Sequence, residues 1–153
     1  MGYKQVLASL FAVLLTATEA SAAGTAQPWA FLGRWLIASA QPAPWSVPGD
    51  PATAPFDAQL VGKSIVYART RITGPRLLAC SRPIYEWQHV PPEGLFQGGL
   101  TAPSPQARAL GFGTATIATL QTGCAGDIDF HFVNRSTALF ALDNMIYTLR
   151  RSR

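Results

Sequence analysis

From residue 114 onward the chain reads as four short β-like runs, 114–121, 127–133, 137–142 and 145–150, separated by turn residues at close spacing. Such a series leaves no room for crossover helices, so the C-terminal third is expected to be an antiparallel meander, with Asn134-Arg135-Ser136 and Asp143-Asn144 as its hairpin turns. Upstream, 29–40 is an apolar run around Gly33 that suits a first strand. Residues 41–55 hold five prolines with Gly49 and Trp45, a composition that stops both helix and inner strand and predicts a long loop of the kind used as a lid or binding loop. Residues 60–72 are rich in β-branched and aromatic side chains, and Thr73-Gly74-Pro75 is expected to turn them into 76–80 as a hairpin. Further strands are expected at 84–90 and, with a glycine break, at 95–100.

One helix is signalled, at 104–110, with Ser104 as N-cap, Pro105 in the first position and Gly111 past the end. The 13 glycines and 12 prolines among 153 residues oppose a helical bundle, and 48% hydrophobic against 13% charged residues excludes a disordered tail. The fold class expected is all-β, a small antiparallel barrel of about seven or eight strands with one short helix.

Residues 1–23 carry Lys4, an apolar stretch from Val6 to Leu15, and small residues up to Ala23, the pattern of a secretory signal peptide. The apolar stretch is too short for a membrane anchor, and no later stretch predicts a transmembrane segment. The expected organisation is a signal peptide at 1–23 and one domain at 24–153, in a periplasmic or secreted protein. Export makes Cys80 and Cys124, the only cysteines, an expected disulfide. The exported part keeps eleven basic and seven acidic side chains, ten of the basic ones arginine. These are spread along the chain without an aromatic-interleaved stripe, so nucleic acid is not an expected partner.

Gly33-Arg34-Trp35 on the first strand, with an arginine near the end of the last, is similar to the pattern of the calycin or lipocalin-like barrels. The resemblance implies that Gly33 and Trp35 close the base of the barrel, that Arg150 or Arg151 stacks on the indole as a cation–π pair, and that Trp29 and Phe31 cap it. Small periplasmic barrels of the protease-inhibitor and heat-shock types resemble the chain in size, signal and opening Gly-x-Trp. The sequence lacks a second Thr-Asp-Tyr motif, and its helix precedes the last four strands.

Two groups of residues carry possible chemistry. Asp127, Asp129 and His131 alternate with Ile128, Phe130 and Phe132, which places the polar set on one strand face: a metal or acid–base site, or the solvated side of an ordinary strand. Tyr85, Trp87 and His89 share a face of another strand, and with Trp35, Trp45 and Phe96 they are the candidate ligand-binding residues. Phe56, beside the proline-rich loop, is a further loop aromatic. No GxSxG, SxxK, HExxH, phosphate loop or dinucleotide fingerprint is present, so no catalytic residues and no cofactor are assigned. The expected function is a non-enzymatic exported barrel that binds a small apolar ligand inside or a protein partner, such as a hydrolase it inhibits, at its rim. The alternatives are a metal-binding protein or metal-dependent hydrolase using Asp127, Asp129 and His131, and a structural envelope protein.

Overall fold

The computed structural model describes residues 30–47, 49, 60–124 and 128–152. The expected signal peptide, Trp29, residues 48 and 50–55 of the expected long loop, Phe56 and Asp127 lie outside the described residues.

Eight antiparallel strands form one curled, barrel-like sheet. They are β1 (Gly33–Pro42), β2 (Ser64–Tyr67), β3 (Ile72–Thr73), β4 (Glu86–Val90), β5 (Ile117–Gln121), β6 (Phe130–Asn134), β7 (Thr137–Leu142) and β8 (Met145–Arg151). The hydrogen-bonded order is β3-β2-β1-β8-β7-β6-β5-β4, a meander whose first strand pairs with its last and whose ladder stops between β3 and β4. The expected all-β barrel architecture is the one observed.

Local chemistry accounts for the turns. Asp143 and Asn144 both have positive φ, 49° and 61°, the conformation a two-residue hairpin needs and these side chains tolerate. At the preceding hairpin the Asn134 Oδ1 accepts hydrogen bonds from the Ser136 backbone N–H at 2.9 Å and hydroxyl at 3.0 Å. The β2–β3 turn falls earlier than the Thr73-Gly74-Pro75 signal suggests: Ala68 N–H bonds Arg71 C=O at 2.9 Å, and Thr73 is still in β3. Gly74-Pro75 instead opens a second reversal that returns Cys80 to pair with Ile72.

Two other elements depart from expectation. Residues 95–100 are not a strand, because Pro92–Gly98 coils as a kinked 3₁₀ segment. The kink is at Phe96 and Gln97, in the left-handed region at φ 50° and 58°. Helix α1 spans Pro103–Ala109, so Pro103 takes the first-turn position and Ser104 lies inside. The Gln106 side chain reaches back to accept the Ala102 N–H at 2.9 Å, satisfying one of the donors a helix start leaves open.

The sheet buries apolar side chains on both faces. Its concave side gathers Trp35, Ile37, Ile65, Tyr67, Phe130, Phe140, Tyr147 and Leu149 with Phe31. Part of its convex side is covered by the 92–112 strap, whose Leu95, Phe96, Ala107 and Phe112 pack on Ile117, Leu139 and Ile146.

The sheet is secured at two places. Where β1 meets β8, the Arg151 guanidinium lies over the Trp35 ring, 5.6 Å from its centroid, and donates to the carbonyls of Ala30 and Leu32. Gly33, at φ 120°, supplies the backbone geometry that a side chain would resist. Trp35 Nε1 donates to Phe31 C=O at 2.8 Å. Of the two arginines the resemblance allowed, Arg151 fills the role; Arg150 instead bonds Thr137 Oγ1 at 2.7 Å. Where the ladder stops, the Cys80–Cys124 disulfide and a 2.7 Å hydrogen bond from Tyr85 OH to Ala68 C=O tie the two sides together.

Two outcomes follow for stability. Replacing both cysteines by alanine is expected to lower unfolding free energy by about 4 kcal/mol in the chain-entropy model, measured by urea titration. Arg151→Gln is expected to cost about 1–2 kcal/mol, whereas Arg150→Gln should stay within about 0.5 kcal/mol. Equal costs would show that the cation over Trp35 has no special part.

Candidate functional site

The candidate residues divide between the two faces of the sheet. Trp35, Tyr85 and Trp87 belong to the concave side, where they meet in a chain of ring contacts. Phe31 lies 4.7 Å from Tyr85, 5.7 Å from Trp87 and 5.9 Å from Tyr67, centroid to centroid. Phe132 joins Trp87 at 5.1 Å to Trp35 at 5.7 Å. Phe130 links Tyr67 at 5.5 Å to Phe140 at 5.5 Å, and Phe140 stacks on Tyr147 at 4.9 Å. Most of these pairs are edge-on or tilted, the arrangement that the ring quadrupole favours. Side chains of the molecule itself thus occupy this interior. Burial and the neighbouring Tyr85 hold the Tyr67 phenol well above the ordinary tyrosine range, and burial pushes Tyr85 up to about 12. The Tyr67 hydroxyl is buried and has no hydrogen-bond partner among the described residues. His89 follows the same strand alternation but is exposed.

Trp45, Phe96 and His131 come together on the convex side. The Trp45 and Phe96 rings lie 5.6 Å apart, and Phe96 meets His131 edge-on at 4.8 Å. Trp45 also sits so close to Gly99 that a Cβ there would lie 3.1 Å from its ring. Trp45 therefore pins the start of the 41–55 connection onto the strap. The connection is held again where Ala43 N–H bonds Asn144 C=O at 2.8 Å.

His131 is fully buried, because the face of β6 that carries it lies under the strap. The Phe96 N–H donates to its Nε2 at 3.0 Å, so that nitrogen offers its lone pair, the proton sits on Nδ1, and Nδ1 faces Thr119 Oγ1 at 2.9 Å. Both ring nitrogens are engaged within the protein. Burial lowers the imidazole pKa to about 4, and a second ring proton would point at the Phe96 N–H.

Of the expected polar face of Asp127, Asp129 and His131, Asp127 lies outside the described residues, and the other two are placed in different surroundings. Strand β6 begins at Phe130, so Asp129 precedes it. Asp129 lines an open depression of about 190 Å³ with Gln97, Gln121, Thr122, Gly123 and Ile128. Among the described residues no group of three or more His, Cys, Asp or Glu is placed to hold a metal ion. Sequence reasoning did not anticipate the His131–Phe96–Thr119 bonding; its available signal was a lone histidine between two phenylalanines opposite an apolar Leu95-Phe96 pair.

Comparison of the chain with protein-family models, curated proteins and solved structures found no match.

The buried histidine makes stability depend on acid. An unfolded histidine titrates near 6.5 and His131 near 4, so between these values the unfolded state binds the proton and the folded state does not. This contribution is present above pH 6.5, falls with pH, and is fully lost below about 4, a loss of about 3 kcal/mol. His131→Gln should cost about 2 kcal/mol at pH 7 and remove that component, as measured by urea titration at several pH values. An unchanged pH profile in the variant would reject the assignment.

Proposed function

We propose that the protein is an exported, non-enzymatic binding protein whose partner is another protein, engaged from outside the barrel. The single observation supporting this reading is the ring-packed interior. Trp35, Tyr85 and Trp87, which an apolar ligand would have to touch, are in contact with Phe31 and Phe132 instead. Phe96 and Trp45 lie across the sheet from them, so the six candidate aromatic and histidine positions do not face one shared cavity. A disulfide at the ladder's end fits a chain that folds in an oxidising compartment. Among the described residues no helix is long and apolar enough to cross a membrane.

On this reading the contact surface is the rim carrying the 41–55 connection. Trp45 anchors the base of that connection, and Val47 just beyond it is 66% exposed. The Trp45 ring contact and the Ala43–Asn144 hydrogen bond hold residues 43–45 in place before a partner arrives, which reduces the ordering entropy that binding would otherwise cost. The left-handed Gln97 and the depression beside Asp129 add a polar surface near the disulfide end.

Native mass spectrometry of the exported protein is the test against the interior-ligand reading, together with titration by an apolar fluorescent fatty acid. The expected result is a bare-chain mass and no saturable probe binding, with a photo-crosslinker at Val47 giving a discrete protein adduct in the exporting cell. A co-purifying small molecule released on denaturation, or probe binding weakened by Trp87→Ala, would overturn the proposal.

A further inference from the structure

Charge is distributed unevenly over the fold. Strands β1, β2, β3 and β8 contain no Asp or Glu, and residues 60–85 hold five cations and no carboxylate. The described carboxylates, Glu86, Glu93, Asp129 and Asp143, belong to β4, the strap, the approach to β6 and the β7–β8 turn. Ladder register then determines what the bare convex face presents. Arg34 is opposite Val66, Leu36 is opposite both Ser64 and Arg150, and Val66 is opposite Thr73, so these side chains share one face. Arg71, two residues before Thr73, extends it by the same alternation. The strap covers the other half of the convex side and leaves this half exposed.

Two further features give the face its chemistry. The Arg34 and Arg71 guanidiniums are exposed and have no hydrogen-bond or ion-pair partner among the described residues. Aliphatic side chains stand on the same face: Leu36, 38% exposed, follows Arg34 by two residues on β1, and half-buried Val66 is opposite Arg34. Unpaired arginine forks suit phosphate oxygens, and short aliphatics beside them suit the boundary between headgroup and acyl chain.

We propose that the convex face of β1–β3 and β8 docks on an anionic phospholipid surface, holding the protein to a membrane without crossing it. A lipid surface fits better than an acidic protein because the face is convex, has no aromatic anchor and spreads its cations instead of converging them. Lipid attachment does not depend on what the rim carrying residues 41–47 binds.

Co-sedimentation with vesicles of phosphatidylcholine alone, or mixed with phosphatidylglycerol, tests it using the purified exported protein. Binding is expected only to the anionic vesicles and should weaken as added salt shortens the Debye length below about 8 Å. The double variant Arg34→Gln, Arg71→Gln should bind about thirtyfold more weakly, the joint effect of two cations at an anionic leaflet. Its control, Arg108→Gln with Arg135→Gln, removes the same charge from α1 and the β6–β7 turn and should bind as the parent does. Unchanged urea midpoints would confirm that both variants are folded. Equal losses in the two variants would overturn the proposal in favour of net charge alone. Absence of binding to anionic vesicles at low salt would overturn it outright and leave the face to a protein partner.

Discussion

The fold depends on the pairing of its first strand with its last. A meander of eight strands would otherwise be an open ribbon with two long edges, and β1–β8 pairing moves the break in the ladder to the space between β3 and β4. Strand pairing alone does not fix the curl, since a sheet can slide or flatten. Arg151 does so by joining three elements at once: the indole of Trp35, the carbonyls of Ala30 and Leu32, and its own place opposite Trp35 on β8. The backbone just before β1 is thereby folded under the barrel, which brings Phe31 to the rings of Tyr85 and Trp87. A contact at one end of the β1–β8 ladder thus supports packing against β4, the far end of the hydrogen-bonded order.

Filling the interior with rings has a consequence for the other face. With the concave side complete, the apolar residues left on β5–β8, including Ile117, Leu139 and Ile146, need separate cover, which the 92–112 strap provides. A strap crossing β6 must bring backbone N–H groups near the sheet. One of them, on left-handed Phe96, is accepted by His131 and not by a ladder carbonyl. The histidine is therefore buried because the strap needs an acceptor, and this explains its neutral state at ordinary pH better than solvation or metal binding does.

Features set by short-range chemistry were legible in the sequence. Asp143-Asn144 and Asn134-Arg135-Ser136 announce their hairpins because their side chains favour the required backbone. Cys80 and Cys124 allow one pairing, and Gly33-x-Trp35 points to a closing arginine, although choosing Arg151 over Arg150 needed the strand register. Features set by long-range contacts were not. Leu95-Phe96-Gln97-Gly98 has a strand's composition, and its 3₁₀ path follows from the apolar convex patch and from His131, 35 residues away. The alternation at 127–133 identifies a face but cannot say whether solvent or a strap meets it. The same limit separated Phe96 and Trp45 from the interior aromatics: strand alternation orders residues within one strand and leaves loop residues unplaced.

The strap also explains why the two halves of the convex side differ. It links β4 to β5, and its apolar residues pack on Ile117, Leu139 and Ile146, so it covers the β5–β8 part of the convex side and leaves β1–β3 uncovered. Uncovered sheet must be kept in water by its own side chains, and here Arg34, Ser64 and Thr73, with Leu36 and Val66 among them, alternate with the inward Trp35, Ile37, Ile65 and Tyr67. Solubility by itself would be met as well by mixed charges, which lysine and glutamate supply with favourable cross-strand pairs. The absence of any carboxylate on four adjacent strands forgoes those pairs and leaves the Arg34 and Arg71 cations without an ion-pair partner among the described residues. A face that forgoes internal ion pairs retains its charge for an external anion, and this separates a docking surface from a merely solvated one.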